Sequence, residues 1–203
     1  LTVSKDLDDA SAYEDLLLGR RLMMTLTVVA RRAELQRVLE TCPECYDAKW
    51  PMGDTQRWLE LSRLGKIGCI HEALATKNML AESASSSREA RKQLRFFMAA
   101  RELHLHYLNK YPASAELNRA VRRKLALALL QHAYEACDPT IAGAMYTDYV
   151  AQAGQASWRS RWLRWGSHSP QRHKLLTPLV KAEALWRRLQ RRLRNNQTNP
   201  YDS

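Results

Sequence analysis

Apolar residues recur at helical spacing through most of the second half of the chain. From Ser87 onward they trace one face of a predicted helix, which ends before Tyr111-Pro112 because the residue preceding a proline disfavours helical backbone. The same spacing predicts a second helix from about Ser114 to Ala136, and a third that begins at Asp138-Pro139. The pattern favours a helical hairpin or a small bundle.

The first half of the chain has shorter apolar runs. Thr25–Ala30 is rich in β-branched and apolar residues and predicts a buried strand, and Lys66–Ile70 predicts a second, short strand. Helices are predicted over residues 33–40 and from Asp54 to Gly65. The expected fold is an α/β remnant of a sheet followed by a mainly α-helical C-terminal bundle, with helix predominant overall.

Charge is distributed unevenly along the 203 residues, which carry a formal net charge of +11. Residues 157–194 contain 11 Lys or Arg and one acidic residue, Glu183, whereas residues 1–156 contain 21 basic and 19 acidic residues. Nearly all of the net positive charge therefore lies near the C-terminus. The chain has no run of about 18 apolar residues that would span a bilayer.

Tryptophan alternates with arginine in this basic region, and a final amphipathic helix is predicted over Pro178–Arg194. Indole rings favour the headgroup layer of a membrane, and cations bind lipid phosphate. We expect contact with an anionic membrane surface through five residues, Trp158, Trp162, Trp165, Arg161 and Arg164. The alternatives are a solvated basic face whose tryptophans pack on the bundle, and salt-sensitive binding of nucleic acid. Nucleic acid is the least favoured, because no nucleic-acid-binding motif is recognisable.

The four cysteines of the chain fit a reducing compartment better than a disulfide framework. Cys42-Pro43-Glu44-Cys45 has the C-x-x-C spacing of zinc and redox sites, but no second pair of Cys or His follows at a zinc-ribbon spacing. The sequence therefore predicts no metal site in this chain. The expected location is the cytoplasm, including a peripheral position on the inner face of the membrane.

An ordered series of short motifs resembles one enzyme family. In chain order, the motifs are Tyr13-Glu14-Asp15-Leu16-Leu17-Leu18-Gly19, Thr25-Leu26-Thr27-Val28-Val29-Ala30-Arg31-Arg32, Gly53-Asp54 with its helix, Ile70-His71-Glu72-Ala73-Leu74-Ala75, and Glu82-Ser83-Ala84-Ser85. This succession resembles the acceptor half of a family 2 glycosyltransferase. The resemblance implies a nucleotide-sugar-dependent enzyme with a GT-A fold. It makes residues 1–86 the acceptor-side part of a GT-A-like domain, followed by a helical bundle over 87–156 and a basic extension over 157–203.

The catalytic role implied by the resemblance falls on Asp54. In the family, the Asp at the head of this helix is the general base that deprotonates the acceptor hydroxyl, and a helix N-terminus stabilises a carboxylate. Arg31, Lys77, Ser83 and Ser85 are the expected substrate-binding residues. The implied reaction is inverting transfer of one sugar to a saccharide or lipid-linked acceptor, in bacterial surface polysaccharide assembly. Because Asp is also a common N-cap residue, a purely structural role for Asp54 is the alternative.

The resemblance also implies a donor site that this chain is not expected to hold. In the family, a nucleotide-binding half with an Asp-x-Asp-type motif comes before these motifs and binds Mg²⁺ or Mn²⁺ with the nucleotide sugar. No such segment comes before Leu1, so we expect the acceptor-side part alone, inactive without the missing half or a partner chain. The alternative from another class is a non-catalytic basic helical module that binds an anionic membrane surface or a partner protein.

Overall fold

The computed structural model describes residues 12–20, 23–68, 70, 72, 74–76 and 89–197, with the side chains of 187, 188 and 191–197 excepted. Two 3-10 turns are found in these residues, Thr25–Thr27 and Pro43–Tyr46. The α-helices of the described residues are α1 (Ala12–Leu17), α2 (Arg32–Thr41), α3 (Thr55–Leu64), α4 (Ala90–Lys110), α5 (Ala115–Glu135), α6 (Pro139–Ala153), α7 (Trp158–Gly166) and α8 (Pro170–Gln197).

The helices predicted for the second half of the chain are confirmed, and their ends are set by local side chains. At the start of α5, Ser114 Oγ accepts a 3.1 Å hydrogen bond from the main-chain N–H of Leu117. At the start of α6, Asp138 Oδ1 accepts a 2.9 Å hydrogen bond from the N–H of Ile141. Both are N-caps that satisfy otherwise unpaired amides of the first turn. The α4 helix ends at Lys110, directly before Tyr111-Pro112, as predicted.

Three apolar clusters are found among the described residues: one packs Val38 of α2 with Cys42 and Cys45, and the two larger ones both include parts of α4 and α5. The first of the larger clusters joins these two helices to α1 and α3, and its buried residues are Tyr13, Leu17, Leu18, Trp50, Leu59, Leu103, Tyr107, Leu108, Leu117 and Val121. The second joins them to α6, α7 and α8, and its buried residues are Leu94, Leu129, Leu130, Ala133, Tyr134, Ala142, Leu163 and Leu176. The helices α1 and α3 of the first half therefore pack on the same two long helices as the C-terminal helices.

The predicted strands are not found among the described residues, so the expectation of an α/β part with a remnant of a GT-A sheet is wrong. Thr25–Thr27 forms a 3-10 turn, in which Thr27 donates its N–H to the Met24 carbonyl at 2.8 Å. The next residue, Val28, has extended backbone (φ −105°, ψ 129°). A strand also needs a neighbour for its ladder of hydrogen bonds, and none pairs with this segment within the described residues. Lys66–Ile70 likewise contains no strand where it is described.

The last helix is longer than predicted. The sequence predicts a start at Pro178, whereas α8 begins at Pro170. Ser169 precedes it, and Ser169 Oγ accepts a 3.3 Å hydrogen bond from the N–H of Arg172. A capping serine followed by proline in the first helical position is a common helix start. Pro178 lies inside the helix and is exposed to solvent.

The close packing of α7 depends on Gly166. A Cβ atom there would lie 2.6 Å from Tyr134 Cε2 and 3.0 Å from Leu176 Cδ1. Gly166→Ala is expected to lower the free energy of unfolding by about 1–3 kcal/mol, because Tyr134 is buried and its hydroxyl bonds the His173 carbonyl. Gly143→Ala on α6 is the control, since no atom of a neighbouring element lies within 4 Å of its Cβ position. Urea unfolding measures both variants, and equal stabilities would contradict this packing.

Candidate functional site

Asp54 lies at the N-terminal end of α3, as predicted, but its side chain does not cap the helix. Its main-chain carbonyl accepts a 3.1 Å hydrogen bond from the N–H of Trp58. This hydrogen bond closes the first turn of the helix. The carboxylate Oδ2 of Asp54 accepts a 2.6 Å hydrogen bond from Thr25 Oγ1. The other oxygen, Oδ1, has no hydrogen-bond partner within the described part of the chain.

The hydrogen bond between Thr25 and Asp54 joins two of the sequence motifs. The two residues are 29 positions apart in the chain. Thr25 is exposed and Asp54 is half-buried, so the carboxylate is accessible from solvent. A hydroxyl donor on one carboxylate oxygen orients the group, and an ionised carboxylate has further acceptor capacity on the second oxygen. The arrangement can accept a hydrogen bond or a proton from a bound hydroxyl.

The other predicted substrate-binding residues are only partly described. Arg31 occupies the N-cap position of α2 and is exposed. It follows Thr25 in the chain after one 3-10 turn and a short extended segment. Lys77, Ser83 and Ser85 lie outside the described residues. Their role in substrate binding therefore stays a prediction.

Further along α3, the buried Glu60 belongs to a partly buried polar network that was not predicted from the sequence. Lys110 Nζ donates to Glu60 Oε1 at 2.7 Å and to Glu44 Oε1 at 2.9 Å. Tyr111 donates its hydroxyl to Glu60 Oε2 at 2.5 Å. His106 Nε2 lies 3.2 Å from Glu44 Oε1. The Lys110 ammonium thus connects α4, α3 and the 3-10 turn over Pro43–Tyr46.

Burial and ion pairing have opposite effects on the pKa values in this network. Burial by itself raises the pKa of Glu44, but hydrogen bonds from Lys110 and His106 outweigh it, and the pKa of Glu44 lies below its ordinary value. Burial and the Glu60 carboxylate raise the pKa of Tyr111 to about 12. For Lys110, hydrogen bonds to the two glutamates outweigh burial, and its pKa lies above its ordinary value. Lys110 is therefore charged and Tyr111 neutral at pH 7.

The same region contains one group of side chains with the geometry of a metal site. Ligand atoms of Cys42, Glu44 and Glu60 lie within 4.8 Å of one another. Lys110 already bonds both carboxylates, and burial raises the pKa of the Cys42 thiol, which favours its protonated form. Mg²⁺ and Mn²⁺ prefer oxygen ligands without a competing ammonium. The group therefore does not fit the divalent ion that the family resemblance implies.

A signal for this network was present in the sequence. Gln56 and Glu60 are one helical turn apart on α3, and both are buried together with Leu59. A glutamate on the buried side of a short helix requires a cation or hydrogen-bond donors, because an unpaired buried charge is strongly unfavourable. Lys110 at the end of α4 was a candidate partner. The sequence pattern alone did not show which end of α4 meets α3.

The predicted membrane-contact residues lie on α7. Trp158, Trp162 and Trp165 are 50%, 39% and 43% exposed, and their spacing places them on one side of the helix. Each ring is therefore partly covered by the protein and partly open to solvent. Arg161 is exposed, and the Arg164 guanidinium lies 4.8 Å from the Tyr146 ring centroid. Among the described helices, none has the length and apolarity needed to cross a bilayer.

Comparison with known proteins was made at three levels. The chain matches no protein-family model, no curated protein and no solved structure. The resemblance to the glycosyltransferase family therefore stays a prediction.

Proposed function

We propose that the Asp54 site is the acceptor side of an inverting glycosyltransferase, with Asp54 as the general base. The Asp54 carboxylate takes the proton of an acceptor hydroxyl while that oxygen forms a bond to the anomeric carbon of a nucleotide sugar. The bond between the anomeric carbon and the diphosphate breaks, the nucleoside diphosphate leaves, and the configuration at the carbon inverts. The acceptor is a saccharide or a lipid-linked sugar.

The hydrogen bond from Thr25 to Asp54 is the observation that carries this proposal. It brings the two motifs at Thr25 and Gly53-Asp54 together, although 29 positions separate their residues in the chain. It also holds the carboxylate by one oxygen, and the second oxygen is available to a ligand. Asp54 lies at the N-terminal end of α3, where the positive potential of the helix N-terminus favours an anionic base. These features suit proton abstraction by a positioned carboxylate.

The proposal assigns only the acceptor side to the described residues. In the family, a divalent cation neutralises the departing diphosphate. The group formed by Cys42, Glu44 and Glu60 does not suit that ion, because Lys110 already bonds both carboxylates. We therefore assign neither donor binding nor metal binding to the described part of this chain.

The experiment is an assay of nucleoside diphosphate release by the protein purified at the length in which its source cells make it. A panel of nucleotide sugars is supplied with Mn²⁺, saccharide acceptors and a lipid extract from the same cells. We expect acceptor-dependent turnover of one donor class, with an inverted anomeric configuration in the product by nuclear magnetic resonance. Failure to consume any donor, or retention of configuration, would contradict the proposal.

A further inference from the structure

Helix α8 carries apolar residues on two different sides. On the inner side, Leu176 is buried in the second of the two larger apolar clusters. On the outer side, exposed apolar residues recur alternately four and three positions apart, and they are Leu175, Leu179, Ala182, Trp186 and Leu189. The exposed fractions of Leu175 and Trp186 are 68% and 62%. A surface helix whose apolar side is fully packed has a polar outer side. The outer stripe of α8 therefore indicates a further contact surface.

Arg172 links this outer stripe to the exposed tryptophans of α7. Trp158 and Trp162 contact each other edge to face, with ring centroids 4.7 Å apart. The Arg172 guanidinium, in the first turn of α8, lies 5.0 Å from the ring centroid of Trp165. Arg172 is one turn before Leu175 on the same helix. We call the exposed tryptophans of α7 together with the outer stripe of α8 the α7–α8 surface, and its members are Trp158, Trp162, Trp165, Leu175, Leu179, Ala182, Trp186 and Leu189.

The exposed charged side chains of α7, and those described on α8, are cations. Exposed cations on the same two helices are Arg161, Arg172, Lys174 and Lys181. The acidic residue of this region, Glu183, is paired with Arg159, and both side chains are largely buried. The surface therefore combines exposed indole and leucine side chains with exposed cations.

We propose that the α7–α8 surface docks on an anionic membrane. Indole rings partition to the headgroup layer, leucine side chains reach the acyl boundary, and the surrounding cations bind lipid phosphate. A second copy of the chain is disfavoured as the occupant, because it would bring the same positive charge to the interface. Nucleic acid would satisfy the cations but would leave the leucines of α8 without apolar contact. The inference does not depend on sugar transfer at Asp54.

The experiment is vesicle flotation at fixed salt, with phosphatidylcholine vesicles compared with vesicles that contain about 30% phosphatidylglycerol. We expect the wild-type chain to float with the anionic vesicles, and its tryptophan emission to shift to shorter wavelength. The double variant Trp162→Ser/Trp165→Ser and the double variant Arg161→Gln/Lys174→Gln are each expected to lower the partition coefficient at least about tenfold. Circular dichroism verifies that both variants keep the helical fold.

Two control variants make the same chemical changes outside the α7–α8 surface. Tyr46→Ser removes another exposed aromatic ring, and Arg119→Gln/Arg123→Gln removes two exposed cations of α5. Both controls are expected to bind anionic vesicles like the wild type. The proposal is overturned if the wild type does not float with anionic vesicles or if the controls lose binding equally. It is also overturned if the same substitutions abolish dimerisation or oligonucleotide binding and leave vesicle binding unchanged.

Discussion

Lys110→Met is expected to lower the free energy of unfolding by about 3–5 kcal/mol, because it removes the cation shared by two carboxylates of the interior. Lys110 Nζ bonds both Glu44 and Glu60, and the Glu60 side chain is only 5% exposed. Methionine is similar in volume, so the change is chiefly the loss of the charge. Urea unfolding at pH 7, followed by circular dichroism, measures the effect.

Lys49→Met is the matched control, because Lys49 forms an exposed ion pair with Asp47. Exposed pairs contribute about 0–1 kcal/mol, so this variant is expected to unfold within about 1 kcal/mol of the wild type. If Lys110→Met were no more destabilising than Lys49→Met, the network around Glu60 would not contribute to stability as described.

The effect of Lys110→Met is also expected to depend on pH. The pKa of Glu44 is lower in the folded chain than its ordinary value, so the unfolded chain binds the proton first as the pH falls. The ion pair between Lys110 and Glu44 therefore stabilises the fold fully above the pKa of Glu44 in the unfolded chain, which is about 4.3. This stabilisation is lost as the pH falls through the lower pKa that Glu44 has in the folded chain. The difference in stability between wild type and variant should narrow below about pH 4. A constant difference from pH 7 to pH 3 would contradict this account.

Asp54→Asn is expected to lower kcat for sugar transfer by about 10²–10⁴-fold. The amide can still accept the hydrogen bond from Thr25, but it cannot take a proton at neutral pH. The Asp54 side chain makes no capping hydrogen bond, so the free energy of unfolding should change by less than about 1 kcal/mol. Initial rates and urea unfolding are measured on the same preparation.

Two further variants separate catalysis from structure at this site. Asp47→Asn makes the same chemical change on a nearby carboxylate, whose oxygens bond Lys49, and should leave the rate unchanged. Thr25→Val keeps the Asp54 carboxylate and removes only its hydroxyl donor, so a much smaller loss of rate is expected than for Asp54→Asn. If Asp54→Asn lowered the free energy of unfolding by as many kcal/mol as it raised the activation free energy of sugar transfer, a structural role for Asp54 would be indicated.

The helices were predictable because their signals are local. Capping by Ser114 and Asp138, and the proline after Tyr111, set the ends of α4, α5 and α6 within a few residues. The strand predicted over Thr25–Ala30 was wrong, because a sheet depends on a second segment that local composition does not specify. The start of α8 differs from the prediction because Pro178 is tolerated inside the helix, whereas Ser169-Pro170 provides the cap and the first helical residue.

The position of Asp54 at the N-terminal end of α3 could be predicted, but its hydrogen-bond partner Thr25 could not. Thr25 and Asp54 are 29 positions apart, and Glu60 and Lys110 are 50 positions apart. Contacts over such separations depend on how the helices pack, and helical periodicity gives only the side of each helix that is buried. The exposure of Trp158, Trp162 and Trp165 likewise became clear only when the neighbours of α7 were known.

The most direct test of the role of Asp54 replaces its codon with that for Asn in the genome of the source organism, where the protein keeps its natural length and partners. Asp47→Asn is made in parallel, and a strain that lacks the gene gives the reference. Surface and lipid-linked glycans are analysed by mass spectrometry, with the protein level measured by immunoblot. We expect the Asp54→Asn strain to lose the same glycan as the deletion strain at a normal protein level, and the Asp47→Asn strain to keep it. An unchanged glycan profile in the Asp54→Asn strain would contradict the assignment of Asp54 as the base.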